Sequence, residues 1–394
     1  MTAFGRFGVA AVAVVGRSSS RTHTKDEVIN CRLLYLLGQL RPGGQERQLY
    51  YLLKAMDRHR FHPAIAVWNY STRDDTYLSD IERLGVSVYP CSDDAAAPRK
   101  VVELRRLVGA LRPEIVHSYC FYMNIVAWSA VLGTNGIPIG SIRQDFIDER
   151  WRLDGPTGKL VGGLSARLPA VQIFNSGTAK LAAEQCRDRF KPTKMYVVRN
   201  GIDVAAFEPH PPVNSRLILA AGRLEAVKRW DRLLAIVSLA SARGMDFSLR
   251  IAGDGPLRSD LELQAKKLDL NGRVEFLGRR QDIPRLLQES SFLVHTADAE
   301  GCPNVVLEAM AAGRAVVATD AGDVAHLVED GRTGFVVRRG DDLGLVNCIT
   351  MLLNDSELSS RMGQAGRKKA EREFGLDRLV ANTLAAYRAS GWHG

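Results

Sequence analysis

From Cys31 onward, short apolar runs alternate with stretches in which apolar residues recur every three or four positions. The runs Leu33–Leu37, Ala64–Trp68, Val86–Tyr89, Ile115–Tyr119, Ile139–Ile142, Val171–Phe174 and Met195–Val198 predict strands. Between them, Gln45–Asp57, Val101–Leu111 and Gly177–Gln185 carry helical spacing. Such alternation implies a parallel sheet covered on both faces. A break follows at Pro209, Pro211, Pro212 and Asn214, which together mark a linker. A second alternating series then runs through Leu217–Ala221, Phe247–Ala252, Val274–Leu277, Phe292–His295, Ala315–Ala318 and Gly334–Val337. The predicted class is therefore α/β, with two doubly wound Rossmann-like domains facing across a cleft. Their expected bounds are 31–208 and 214–375, after an uncertain N-terminal extension over 1–30. A closing helix in 376–394 has the back of the first domain as one place to pack.

Composition narrows this picture. A chain of 394 residues exceeds one ordinary core and suits two. With 46% hydrophobic and 25% charged residues, wholesale disorder is excluded. The net charge of +9 favours phosphates, nucleic acid or an anionic membrane face as partners, although a basic solvated surface reads the same. Arg99, Lys100, Arg105, Arg106 and Arg112 share a helical pattern with Val101, Leu104 and Leu107. That pattern describes a helix resting peripherally on an anionic membrane and an ordinary amphipathic helix equally well. A nucleic-acid partner is not expected, because no aromatic–basic interleaving accompanies the charge. The six cysteines show no CxxC spacing and no zinc-like cluster with histidine, so a reducing cytosol is the expected home. The apolar stretch Phe7–Val15 is far shorter than the about 20 residues that span a bilayer. No clean cleavage site follows it, so a signal peptide is the lesser reading of the first thirty residues.

In doubly wound sheets ligands bind outside the carboxyl ends of the strands, so the loops there are where chemistry is expected. The sharpest loop is Glu300-Gly301-Cys302-Pro303-Asn304-Val305-Val306-Leu307-Glu308-Ala309-Met310-Ala311-Ala312-Gly313, after the predicted strand Phe292–His295. Pro303 suits the first turn of a helix. Glu300 then lies in the loop, Glu308 lies one to two turns inside the helix, and the amides of Gly301 to Val305 face the cleft. Arg223 and Lys228 follow the first strand of the second domain and can neutralise an anion there. Ile251-Ala252-Gly253-Asp254-Gly255-Pro256 fails the dinucleotide fingerprint, because Arg258 replaces its last glycine. In the first domain, Gly43 and Gly44 open a helix where backbone can approach a phosphate or sugar; a plain strand–helix turn would look alike. His117 ends a strand, where structural histidines are as common as functional ones. Arg143 ends the next strand and could meet an anionic acceptor, a diphosphate or only solvent.

The fourteen-residue string resembles the family-4 retaining glycosyltransferases of the two-Rossmann-domain (GT-B) type, and reproduces their E-x7-E motif nearly letter for letter. The resemblance runs from about Cys31 to Ala370 and is most specific over 215–335. It implies a nucleoside-diphosphate sugar as co-substrate, with no separate cofactor. Glu308 would take the ribose hydroxyls, and Glu300 a sugar hydroxyl. Gly301, Cys302, Pro303, Asn304 and Val305 would surround the donor, with Gly43 and Gly44 opposite. Arg223 and Lys228 would form the diphosphate clamp, and His117 would stand near the transferred sugar. Asn200-Gly201-Ile202-Asp203 resembles the turn at the domain exit and is expected to be a hinge. One departure is plain: where members often show Gly-Gly-x-x-Glu, this chain has Gly322-Asp323-Val324-Ala325-His326.

The implied reaction is front-side attack, with the departing phosphate oxygen accepting the proton of a hydroxyl acceptor. Glu300 is then a positioning group. No strand-end Asp-x-Asp occurs; Asp74-Asp75, Asp93-Asp94 and Asp341-Asp342 read as turns and caps, so no metal is expected. The acceptor classes left open are a sugar, a lipid-linked molecule and a small molecule, in polysaccharide, glycolipid or glycoside synthesis. The basic first-domain helix favours the lipid-linked one. The rivals are a two-Rossmann epimerase or phosphorylase and a non-catalytic nucleotide-sugar binder. A phosphorylase lacks its cofactor lysine here, and intact Glu300, Glu308, Arg223 and Lys228 weigh against the binder.

Overall fold

The structure is a computed structural model that describes residues 31–70, 77–92, 96–208 and 216–394. The N-terminal segment 1–30, the proline-rich linker at 209–215 and the Asp74-Asp75 and Asp93-Asp94 pairs lie outside the described residues.

Two parallel sheets organise the rest. The first contains β1 (Cys31–Leu37), β2 (Phe61–Val67), β3 (Ser87–Pro90), β4 (Ile115–Ser118), β5 (Ile137–Ile142), β6 (Val171–Phe174) and β7 (Met195–Val197), in the order β3-β2-β1-β4-β5-β6-β7. The second contains β8 (Leu217–Ala221), β9 (Ser248–Ala252), β10 (Val274–Gly278), β11 (Phe292–His295), β12 (Ala315–Thr319) and β13 (Gly334–Val337), in the order β10-β9-β8-β11-β12-β13. Every neighbouring pair that is registered runs parallel. Helices cover both faces, so the central strands are largely apolar: Leu33 to Leu37 are all buried, as are all five residues of β12. The strand order reverses between β1 and β4 in the first sheet and between β8 and β11 in the second. Adjacent loops diverge at these points and open a crevice, which is where a ligand can enter.

Most boundaries move by one or two residues from the sequence pattern, and two element starts move further. β2 starts at Phe61, because Pro63 continues the strand in register with Leu33. The basic helix starts at Ala97, with Pro98 in its first turn. That helix does not present a continuous basic face. Lys100 is buried and donates to the Trp68 carbonyl (2.7 Å), Arg105 donates to backbone carbonyls beyond the neighbouring helix, and Arg99 pairs with Glu103. Much of its charge is therefore engaged within the domain. Among the described residues no helix is long and apolar enough to cross a membrane.

The chain ends on the domain where it began. Helix Ser356–Glu373 packs on the second domain, Ile202 then bridges Gly375, and helix Leu376–Ala389 returns to the first. Its Leu379, Ala386 and Tyr387, with Trp392 beyond, are buried in the first-domain core. The two domains are thus joined by two chain crossings, which restrains their relative motion.

Candidate active site

The carboxyl ends of β8 and β11 build the second-domain side of the cleft. After β8 the backbone passes Arg223, makes a single turn at Ala226–Lys228 and enters the left-handed region at Arg229 (φ 53°). Arg229 is held there by Asp231 and Asp298. The loop after β11 is zipped to this turn: the Asp298 amide donates to the Val227 carbonyl (2.9 Å), and the Thr296 hydroxyl to the Lys228 carbonyl (3.1 Å). These bonds bring Lys228 onto Glu300, forming a close ion pair. His295, the last residue of β11, places Nε2 3.0 Å from the same Glu300 oxygen. Burial would raise the Glu300 pKa, but Lys228 and His295 hold it at about 2. Glu300 is therefore an ionised carboxylate, nearly buried, at the mouth of the cleft.

Glu308 is buried in helix Asn304–Ala311. Its partner comes from the other domain: Arg47, in the first turn of helix Gly44–Ala55, forms a close ion pair with it. The sequence reading did not single out Arg47, although its place just after Gly43-Gly44 is where a cleft-facing side chain would be sought. Other bonds join the same two helix starts. Gln48 donates to Asn304 (3.1 Å), Asn304 reaches the Gly44 carbonyl (3.4 Å), and Asn200 donates to the Cys302 carbonyl (2.7 Å). These contacts bring the N-termini of two helices together on the floor of the cleft, where their first amides have no intrahelical acceptor.

The remaining site residues have unequal standing. Gly301 sits where a Cβ would lie 2.5 Å from the Arg143 carbonyl, so only glycine allows the two domains to meet there. The Cys302 side chain belongs to the apolar core, and burial pushes its thiol up to about 12; it can offer only backbone. Pro303 precedes the first helical residue, and Val305 packs partly into the core. A side chain at Gly43 would meet the Glu46 carboxylate at 2.2 Å. Arg223 stands apart from Glu300 and Lys228: it is exposed and pairs with Glu225 at 2.9 Å. His117 requires a correction. It is 1% exposed, and its Nδ1 and Nε2 are taken by the hydroxyls of Tyr387 (2.7 Å) and Ser141 (2.9 Å). Burial, and the Arg143 charge after it, push its pKa well below the ordinary value, so it is a neutral ring locked by the returning C-terminal helix and cannot meet a sugar in this arrangement. Among the described residues no cluster of His, Cys, Asp and Glu is spaced to hold a metal.

The first-domain side of the cleft is built by β4, β5 and β6. Arg143 follows β5 and stacks over Tyr119 (4.2 Å to the ring centre). Five buried polar atoms around the cleft have no hydrogen-bond partner: Arg143 Nε, Glu149 Oε2, Asn175 Oδ1, Asn200 Oδ1 and, beside Glu300, His295 Nε2, whose 3.0 Å approach lacks hydrogen-bond geometry. Unpaired buried polar atoms are costly, and a cleft that waits for a ligand is one place where they persist. Burial raises the Glu149 pKa to about 8, against the lowering influence of the Arg143 backbone and of Arg152. No sequence signal marked Glu149, which lies in an unremarkable polar turn of helix. A shallow polar hollow lined by Arg216, Asp246 and Arg273 lies at the opposite, amino ends of the strands and carries none of these groups.

Comparison with known proteins agrees with this geometry. Residues 203–369 match the family model of glycosyl transferases group 1, and residues 42–206 match glycosyltransferase family 4. The chain belongs to these glycosyltransferases. It is 30% identical over 175 residues to the N-acetyl-alpha-D-glucosaminyl L-malate synthase of Bacillus anthracis, covering 44% of this chain and 45% of that protein. It is 29% identical over 230 residues to the alpha-D-kanosaminyltransferase of Streptomyces kanamyceticus, covering 57% and 56%. The matched region thus spans about half the length of these curated relatives. The fold is that of Anabaena HepE, crystallised with UDP and glucose: TM-score 0.79 at 20% identity, covering 91% of this chain and all of that one. The architecture is therefore GT-B.

Proposed function

We propose that this chain is a retaining glycosyltransferase that moves a sugar from a nucleoside-diphosphate sugar to a hydroxyl acceptor, in polysaccharide or glycoconjugate synthesis. The observation that carries this reading is Glu300, kept ionised by Lys228 and His295 at the cleft, one loop away from buried Glu308. In this reading Glu308 receives the ribose hydroxyls and Glu300 a hydroxyl of the donor sugar. Lys228 meets the charge that grows on the diphosphate as the bond from the anomeric carbon breaks. An interaction that strengthens along that path accelerates the step. The acceptor oxygen forms the new bond on the same face, and its proton passes to the departing phosphate oxygen. Lys228 and the helix N-terminal amides supply the electrostatic stabilisation, so no metal is required in this reading. Similarity to HepE, whose structure holds UDP and glucose, supports a nucleotide donor. Similarity to transferases of amino- and N-acetylamino-sugars supports the sugar class of the reaction.

The test is a screen of nucleotide sugars for thermal stabilisation, since a ligand of the native state raises the melting temperature. The best donor is then incubated with candidate acceptors in EDTA, and the anomeric configuration of the first product is read by NMR. Retained configuration and EDTA-resistant turnover are expected. Inverted product, or strict dependence on a divalent ion, would overturn the mechanism.

A further inference from the structure

The departure at Gly322-Asp323 has a structural role. Asp323 is 3% exposed and belongs to the second domain, yet its carboxylate is satisfied by the first. The Ser176 hydroxyl donates to it at 2.8 Å, the Thr178 amide at 3.1 Å and Arg199 Nε at 2.7 Å. Ser176 and Thr178 form the start of helix Gly177–Gln185, so a carboxylate from one domain caps a helix of the other. The Thr178 hydroxyl adds a bond to the Gly322 carbonyl (2.7 Å). Burial would raise the Asp323 pKa, but the Gly177 and Thr178 amides, Ser176 and Arg199 hold it below the ordinary carboxylate range.

The backbone of the same residue points the other way. The Asp323 amide donates to the Gly301 carbonyl at 2.9 Å. Gly322, in the left-handed region (φ 58°), comes so close to the Glu300 backbone that a Cβ would lie 2.2 Å from its carbonyl oxygen. Asp323 therefore links the first domain directly to the Glu300–Gly301 loop. A glycine at this position could brace the loop but could not reach across.

We propose that Asp323 is a positioning residue that sets the spacing between the two domains, joining the start of helix Gly177–Gln185 to the loop that carries Glu300. It rests on the glycosyltransferase reading only for its effect on turnover. The latch itself holds the cleft closed before any donor arrives.

The test uses the full chain and the variants Asp323→Gly, Asp323→Asn and Arg199→Met. Without ligand, Asp323→Gly should increase the radius of gyration by X-ray scattering and speed hydrogen exchange at the amides of residues 177–179 by about tenfold or more. With the nucleotide sugar that best stabilises the wild type, its kcat should fall about tenfold, while the Kd for the nucleoside diphosphate stays within about threefold. Arg199→Met should move the same readouts less, and its effect should vanish in the Asp323→Gly background. Unchanged scattering and exchange in Asp323→Gly overturn the latch. So does loss of nucleotide affinity in step with kcat, which would place Asp323 in the donor site. If Asp323→Gly fails to fold by circular dichroism, Ser176→Ala/Thr178→Val breaks the contact from the other side and is judged by the same readouts. If no nucleotide sugar binds the wild type, the functional reading fails, and scattering and exchange still decide the latch.

Discussion

The two sides of the cleft satisfy their buried charges differently. On the second-domain side, which takes the donor in the proposed reading, Glu300 has Lys228 with His295 in close contact, and Glu308 has Arg47. On the first-domain side, which takes the acceptor in that reading, Arg143, Glu149 and Asn175 each keep a buried polar atom without a partner. The donor side is thus prearranged for one kind of ligand, a diphosphate-linked sugar in the proposed reading. The acceptor side leaves its polar groups to be completed by whatever enters.

The strongest challenge to this comparison is Lys228→Met. If Lys228 meets charge on the leaving diphosphate, donor turnover should fall about 100- to 1,000-fold, with a smaller change in donor affinity. Equal loss of affinity and rate would make it only a binding group. Next is Glu308→Ala, which should weaken nucleoside diphosphate binding by roughly 2–3 kcal/mol, measured by calorimetry. It also leaves Arg47 unpaired, so Arg47→Ala in that background should restore part of any lost thermal stability.

Glu149→Gln probes the unpaired side. The folded pKa of Glu149 is raised to about 8 from an ordinary value of 4.5, so the folded state holds its proton more tightly than the unfolded state between those values. Wild-type stability therefore falls as pH rises through that window, at up to about 1.4 kcal/mol per pH unit. The glutamine variant lacks this penalty, which amounts to about 3–4 kcal/mol between pH 5 and pH 8, so its melting temperature relative to wild type should climb by roughly 7–14 °C over that range (about 2–4 °C per kcal/mol). A constant difference across that range would show that Glu149 is already ionised. Glu300 has the opposite sign: its pKa is lowered to about 2, so its contribution is present above about 4.5 and lost only as pH falls towards 2. The smallest effect is expected from Arg223→Ala. Exposed and paired with Glu225, it should change nucleotide affinity no more than about threefold, roughly 0.6 kcal/mol. A loss of a hundredfold would mean that Arg223 leaves Glu225 to join Lys228 when the donor binds.

Much of this was legible in the linear pattern. The strands Val171–Phe174, Leu217–Ala221, Phe292–His295 and Gly334–Val337 fall where the apolar runs lie, because strands covered on both faces are mostly apolar, with polar exceptions such as Gln172 and His295. Glu300, Lys228 and Glu308 were visible because they sit in one short loop–helix string and one strand end, at spacings that local geometry dictates. Arg47, Glu149 and the capping role of Asp323 were not. Each acts on a group more than 100 residues away or through a burial that a polar helix does not advertise. His117 was misjudged for the same reason: its partners, Ser141 and Tyr387, come from another strand and from the far end of the chain.

The sequence by itself determined two doubly wound domains, the loops that face the cleft and the carboxylates and cations they carry. Local periodicity and the chemistry of short strings are sufficient for that. Only the tertiary structure decided which charges are spent on each other. It turned Lys100 inward, walled off His117, gave Glu308 a partner from the opposite domain and made Asp323 the cap of a helix it does not belong to. Pairing depends on distances across a folded cleft, and no spacing along the chain encodes them.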